Sequence, residues 1–191
     1  FMNAAGIPTT RALLALKTNE SVIRENELPG GILTRVANSH IRIGTFQYAA
    51  MKGTGVLKKL ADYSIRRHYP ELKNADERYL KFFAAVCQSQ TRLVSRWMNI
   101  GFIHGVMNTD NVTISGETID YGPCAFMDYY DQKTVFSSID VAGRYCYGNQ
   151  PAILVWNLSK LAEALIPLID DEEQKSIEKL TEVLQLIMPS Y

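Results

Sequence analysis

Apolar residues recur at helical spacing over most of the chain and at strand spacing in only a few short stretches. Tyr79, Phe82, Phe83, Val86, Leu93, Val94 and Trp97 follow the i, i+3, i+4, i+7 rule, which predicts a long helix over residues 74–99 that Gly101 is placed to end. Leu57, Leu60, Ala61 and Ile65 predict a helix over 56–68, closed by Pro70. Ile153, Trp156, Leu161, Leu165 and Leu168 predict another. A last one carries Ile177, Leu180, Leu184 and Ile187, with Asp170 and Glu173 supplying a capping pattern at its start. Ile41, Phe46, Tyr48 and Met51 fit a shorter helix behind the N-cap types Asn38 and Ser39, weakened by Gly44 and Thr45.

Strand signals are local. Residues 21–24 and 32–37 flank a stretch of turn formers, 25–31, and predict a hairpin. Residues 112–115 and 118–120 flank Gly116-Glu117 and predict a second, tight hairpin that brings Asn111 close to Asp120. Helices with two small strand pairs make the fold class α+β, mainly helical. Trp97, Trp156 and the methionines read as core.

Composition narrows the function. With 191 residues, 47% of them hydrophobic, the chain can bury a core. Lys plus Arg and Asp plus Glu are 20 each, so no net field draws nucleic acid or an acidic membrane, and any phosphate must be held by locally placed cations. Cys87, Cys124 and Cys146 are odd in number and lack C-x-x-C spacing, which reads as a reducing compartment without zinc. No apolar run approaches the roughly eighteen residues of a membrane span. The chain begins at Phe1 and ends at Tyr191 straight after an amphipathic segment, so it reads as the central piece of a longer protein.

The chemistry concentrates in HGVMNTDNVTISGETIDYG, from His104 to Gly122. Phosphotransferases of the kinase type carry H-x-D-x-x-x-x-N followed about ten residues later by D-x-G, where the first Asp receives the acceptor's proton and the Asn and second Asp hold the metal. Here the first Asp position is Val106, which accepts no proton. Asn111 and Asp120 offer hard oxygen ligands suited to Mg²⁺ or Mn²⁺ on a nucleotide. Asp110 is the substitute base, its plainer reading being a turn-forming Asp. His104 reads as a loop-bonding residue, and Arg144 as structural with Asp140 its partner. Arg35, at a strand end, and Arg42, in the first turn of a helix capped by Ser39, form a candidate phosphate clamp.

Taken with GIPTTRALLAL (6–16), LTRVANSHIRIGTFQYAA (33–50), TIDYGP (118–123), GRYCYGNQP (143–151) and WNLSKLAEAL (156–165), this stretch resembles the selenoprotein O family of kinase-like proteins. The resemblance implies a protein-kinase-like catalytic core, incomplete here: residues 1–52 end the N-lobe and 53–191 form the helical C-lobe. It implies a protein adenylyltransferase that binds ATP in reverse and transfers AMP to Ser, Thr or Tyr hydroxyls of partner proteins, with Mg²⁺ or Mn²⁺. By the same resemblance Asp110 is the catalytic base, Asn111 and Asp120 hold the metal, and Arg35 and Arg42 hold the terminal phosphate. Asp120 thereby also belongs to the nucleotide site. The family's Lys, its Glu partner and its glycine-rich segment precede the region matching Gly6, so an isolated 191-residue chain is expected to bind ATP poorly. Cys124 stands where an aromatic is expected.

Two other classes stay open at this level. A small-molecule phosphotransferase of the aminoglycoside or choline kinase type shares the His-Gly and Asn of the loop, and a non-catalytic nucleotide-binding pseudokinase would share its shape. The expected location is the bacterial cytoplasm, or the mitochondrion in a eukaryote.

Overall fold

The computed structural model describes residues 1–187. The strands are β1 (Arg11–Ile23), β2 (Glu27–Val36), β3 (Phe102–Ile103) and β4 (Ala125–Phe126). The helices are α1 (Ile43–Met51), α2 (Thr54–His68), α3 (Arg78–Asn99), α4 (Gln150–Leu165) and α5 (Glu173–Ile187). β1 pairs with β2 and β3 with β4, each antiparallel, so the chain is mixed α/β with helix dominant and two small sheets.

The core forms where helical faces meet. α4 packs on α1, α3 and α5, and α3 also packs on α5. Phe46 of α1, Phe82, Phe83 and Val94 of α3, and Leu154, Leu158, Leu161 and Leu165 of α4 are fully buried. Each such side chain contributes about 1.5–3 kcal/mol of burial. α3 starts at Arg78 instead of residue 74 because Glu77, with a φ of 50°, interrupts helical backbone just before it. It ends as predicted: Gly101, with a φ of 66°, turns the chain into β3. The three basic residues Arg66, Arg67 and His68 close α2 against the negative end of its dipole.

Several expectations are corrected. The first hairpin is much longer than residues 21–37, and its turn is Arg24 to Asn26, so Gly30 and Gly31 lie inside β2. β1 breaks register between Ala12 and Leu14 and again between Lys17 and Ser21, which erases the period-two pattern that would have revealed it. Asp170 does not cap α5. Its carboxylate accepts the Glu172 N–H (3.2 Å) and pairs with Lys179 (3.0 Å).

Trp156 is not core: it is 39% exposed, with the Arg144 guanidinium 4.7 Å from its ring centre. Asp140 therefore serves Arg144 only through the backbone N–H, at 2.8 Å. Met51 is likewise exposed. Finally, the continuous helical stretch Tyr147–Leu168 is long and apolar enough to cross a membrane by length and composition, with mean hydropathy 1.2. Its buried Gln150 and Asn157, and its packing on three other helices, make it the central helix of the core.

Candidate active site

The turn after Asn111 is not a hairpin ladder. The Thr113 hydroxyl donates to the Glu117 carbonyl (3.0 Å) and accepts the Glu117 N–H (3.2 Å), closing the turn through a side chain. The backbone edges this frees pair outward instead. Val112 accepts from the Ile43 N–H (3.0 Å) and Ile114 donates to the Ile41 carbonyl (3.1 Å). On the other limb, Thr118 exchanges bonds with Pro8 and Thr10, both 3.0 Å. The turn is thereby tied to the start of α1 on one side and to the segment before β1 on the other.

Helical side chains hold it from beneath. Tyr69 donates its hydroxyl to the Ile114 carbonyl (2.8 Å), Trp97 its indole N–H to the Thr118 hydroxyl (3.0 Å), and Gln90 its amide to the Thr113 carbonyl. Buried amides with partners on both sides fix a loop in one conformation.

The loop before it, 104–111, is held by α4. Gln150 accepts the His104 N–H and donates to the Phe102 carbonyl, both 2.9 Å, and Asn157 donates to the Met107 carbonyl (2.8 Å). The sequence reading missed both residues. Their signal was present: two amides seven residues apart on an otherwise apolar helix face. Gly105, with a φ of 83°, presses so closely on Pro123 that an added Cβ would lie 2.5 Å from its carbonyl oxygen, which joins this loop to the segment following Asp120.

Asn111 donates its side-chain N–H to the Val106 carbonyl (2.9 Å), which commits the amide nitrogen and leaves Oδ1 as an acceptor. The Asp120 carboxylate is half-buried, and among the described residues no N–H or O–H donates to it. An amide oxygen and a carboxylate are the donor types a hard divalent ion takes; among the described residues no group of three or more His, Cys, Asp or Glu is placed to hold a metal ion.

Asp110 is exposed at the positive end of α1, against Gly44: a Cβ on Gly44 would stand 2.3 Å from its Oδ1. The turn-forming side chain here is Asn108, which accepts the Asp110 N–H at 3.0 Å, so the Asp110 carboxylate is left out of the loop's own bonding.

His104 is buried beside Trp97, and burial lowers its pKa to about 4, with the nearby Asp120 charge opposing the shift. It stays neutral, its Nδ1 accepting the Val106 N–H at 3.4 Å. Arg35 donates to the Ile119 carbonyl (2.9 Å), immediately before Asp120. Arg42 is bridged in backbone to Thr113 and has a buried Nε without a partner among the described residues, an orphaned donor beside the turn. Ser39 does not cap α1: its hydroxyl accepts the Ile41 N–H (3.0 Å), and Arg42 itself is the cap residue, its N–H on the Thr45 hydroxyl at 3.1 Å. The two arginines are therefore placed by separate anchors on one loop system.

A family model described as protein adenylyltransferase SelO matches residues 1–188. The chain is similar to a protein nucleotidyltransferase YdiU of Cereibacter sphaeroides, at 61% identity over all of this chain and 40% of that protein. A YdiU of Rhizobium johnstonii is 60% identical over 96% of this chain and 37% of its own length. One from Shouchella clausii is 60% identical over 93% of this chain and 37% of its own. The chain thus spans about 40% of the length of the curated relatives it matches. A match across nearly every residue, together with identities of this size, makes the chain a member of the SelO family.

Proposed function

We propose that this chain is the central part of a protein adenylyltransferase that transfers AMP from ATP to a hydroxyl side chain of a protein. The architecture is read as the helical lobe of a kinase-like core, 53–191, with the last strands of its other lobe in 1–52. One observation carries the reading. A carboxylate free of loop bonding, Asp110, adjoins an oriented amide oxygen, Asn111, and Arg35 donates to the Ile119 carbonyl next to Asp120.

In the proposed reaction the acceptor oxygen bonds to the α-phosphorus, and the bond from that phosphorus to the bridging oxygen of the β-phosphate breaks. The acceptor's proton passes to Asp110 and pyrophosphate leaves. Arg35 and Arg42 hold the far phosphates, placing ATP in reverse with its α-phosphate at the loop. Asn111 and Asp120 would hold Mg²⁺ or Mn²⁺, which when bound supplies Lewis-acid stabilisation of phosphate charge. Val106 supports AMP transfer over the ordinary kinase reaction, because the usual base position holds no proton acceptor.

The test is intact mass of the full-length protein incubated with a protein acceptor, ATP and each metal. An adenylyl increment that disappears in Asp110→Ala is expected. A phosphate increment alone would move the protein to phosphotransfer, and function unchanged in Asp110→Ala would make it a binding scaffold.

A further inference from the structure

A second cationic site lies where the start of β1 meets α3 and the end of α2. Arg35 is paired across the ladder with Ala12, and Arg11 with Val36. Successive strand residues point to opposite faces and cross-strand partners share one, so Arg11, which borders one depression together with Arg35, leaves the strand on the opposite face. It enters the wall of two adjoining depressions, of about 460 and 630 Å³, which share Arg11, Asn38, Ser89 and Ser115. Arg92 and Arg96 of α3 complete the first, and Arg67 with His68 at the end of α2 complete the second.

The charge there is unbalanced. Among the described residues none of these four arginines has a carboxylate at ion-pair distance. The one acid in either wall, Glu117, is already committed. Its carboxylate accepts the Asn38 N–H and side-chain amide, both at 2.8 Å, and the Ser115 hydroxyl at 3.2 Å.

Two of the guanidinium groups are also pre-positioned: Arg67 donates to the Asn38 carbonyl (3.1 and 3.3 Å) and Arg96 to the Gly6 carbonyl (2.7 Å). Each keeps further N–H donors. The side chains of Arg11 and Arg92 make no hydrogen bond to the described residues. The local field registers on His68, whose pKa is lowered by burial and by Arg67. In a chain of zero net charge such a concentration is local, and it suits a compact multivalent anion better than a long polyanion.

We infer that this cleft binds a small phosphoanion carrying two or more negative charges, held by the guanidinium forks of Arg11, Arg67, Arg92 and Arg96. Guanidinium matches phosphate oxygens in bidentate geometry, and charge-assisted bonds of this kind are the strong ones. The inference is independent of the transfer reaction, since it involves neither Asp110 nor the Arg42 clamp.

The experiment is calorimetric titration of inorganic pyrophosphate into the full-length protein carrying Arg42→Ala, which weakens the other anion site. Saturable binding is expected to persist there and to weaken about tenfold or more when Arg92→Gln is added. Arg92 is exposed, so the fold should survive, as circular dichroism would verify. Arg11→Gln provides a second variant at a different wall. Absence of saturable binding in the Arg42→Ala protein would overturn the inference. So would binding indifferent to both added substitutions, or equal heat from sulfate at the same ionic strength. Loss of AMP transfer in the unmodified protein would count against the proposed reaction and leave this result untouched.

Discussion

Single positions around the loop set how the candidate base is held. Gly44→Ala would put a methyl 2.3 Å from Asp110 Oδ1, closer than a non-bonded carbon and oxygen can approach, so the carboxylate must move. AMP transfer should fall by about tenfold or more while the circular dichroism spectrum stays unchanged. His104 gives a pH prediction. Its folded pKa, about 4, is below the ordinary 6.5, so below pH 6.5 the unfolded chain takes up a proton that the folded one refuses. Stability is therefore complete above that pH and declines as pH falls toward 4. The loss is on the order of 3 kcal/mol. Thermal unfolding across this window should show it, and His104→Asn should remove the part due to the ring. Asp110, Asn111 and Asp120 could be picked as candidates from the sequence because a short motif fixes their offsets. Gln150 and Asn157 were not, because an amide on a helix declares its partner only once another segment is packed against it.

At the level of elements, the connection from β2 to α1 depends on a carboxylate from the turn. Glu117 is buried and receives both Asn38 donors, while Asn38 offers its carbonyl to Arg67. Glu117→Gln replaces one acceptor oxygen by a donor facing another donor. Denaturant unfolding should report a loss of about 1–3 kcal/mol. The helices were readable because a buried face imposes its period. Their starts were less so: Glu77 and Ser39 behave as they do because of turns that propensity does not describe. The second hairpin was misread for a related reason. Thr113 and Glu117 close that turn through a hydroxyl, and both limbs pair with segments far away in sequence.

The whole chain divides into a packed helical body and a ladder with little burial. Leu13 is 72% exposed and Ile23 83%, with Leu16, Ile32 and Leu33 also exposed. Two strands with apolar side chains open on both faces are marginal alone. At zero net charge there is no net repulsion between copies. Residues 1–191 expressed alone should bind a hydrophobic dye and self-associate near neutral pH, measured by light scattering. The full-length protein should do so far less.

The bond from Trp97 to Thr118 makes the loop observable by light. The chain has two tryptophans, one buried and bonded two residues before Asp120, the other half out in solvent on α4. With Trp156→Phe the emission comes from a single indole in this chain, whose hydrogen bond reports the position of the loop. Its intensity and wavelength then become a built-in gauge of whether an ion or nucleotide has engaged the loop, readable without a label and before any product forms.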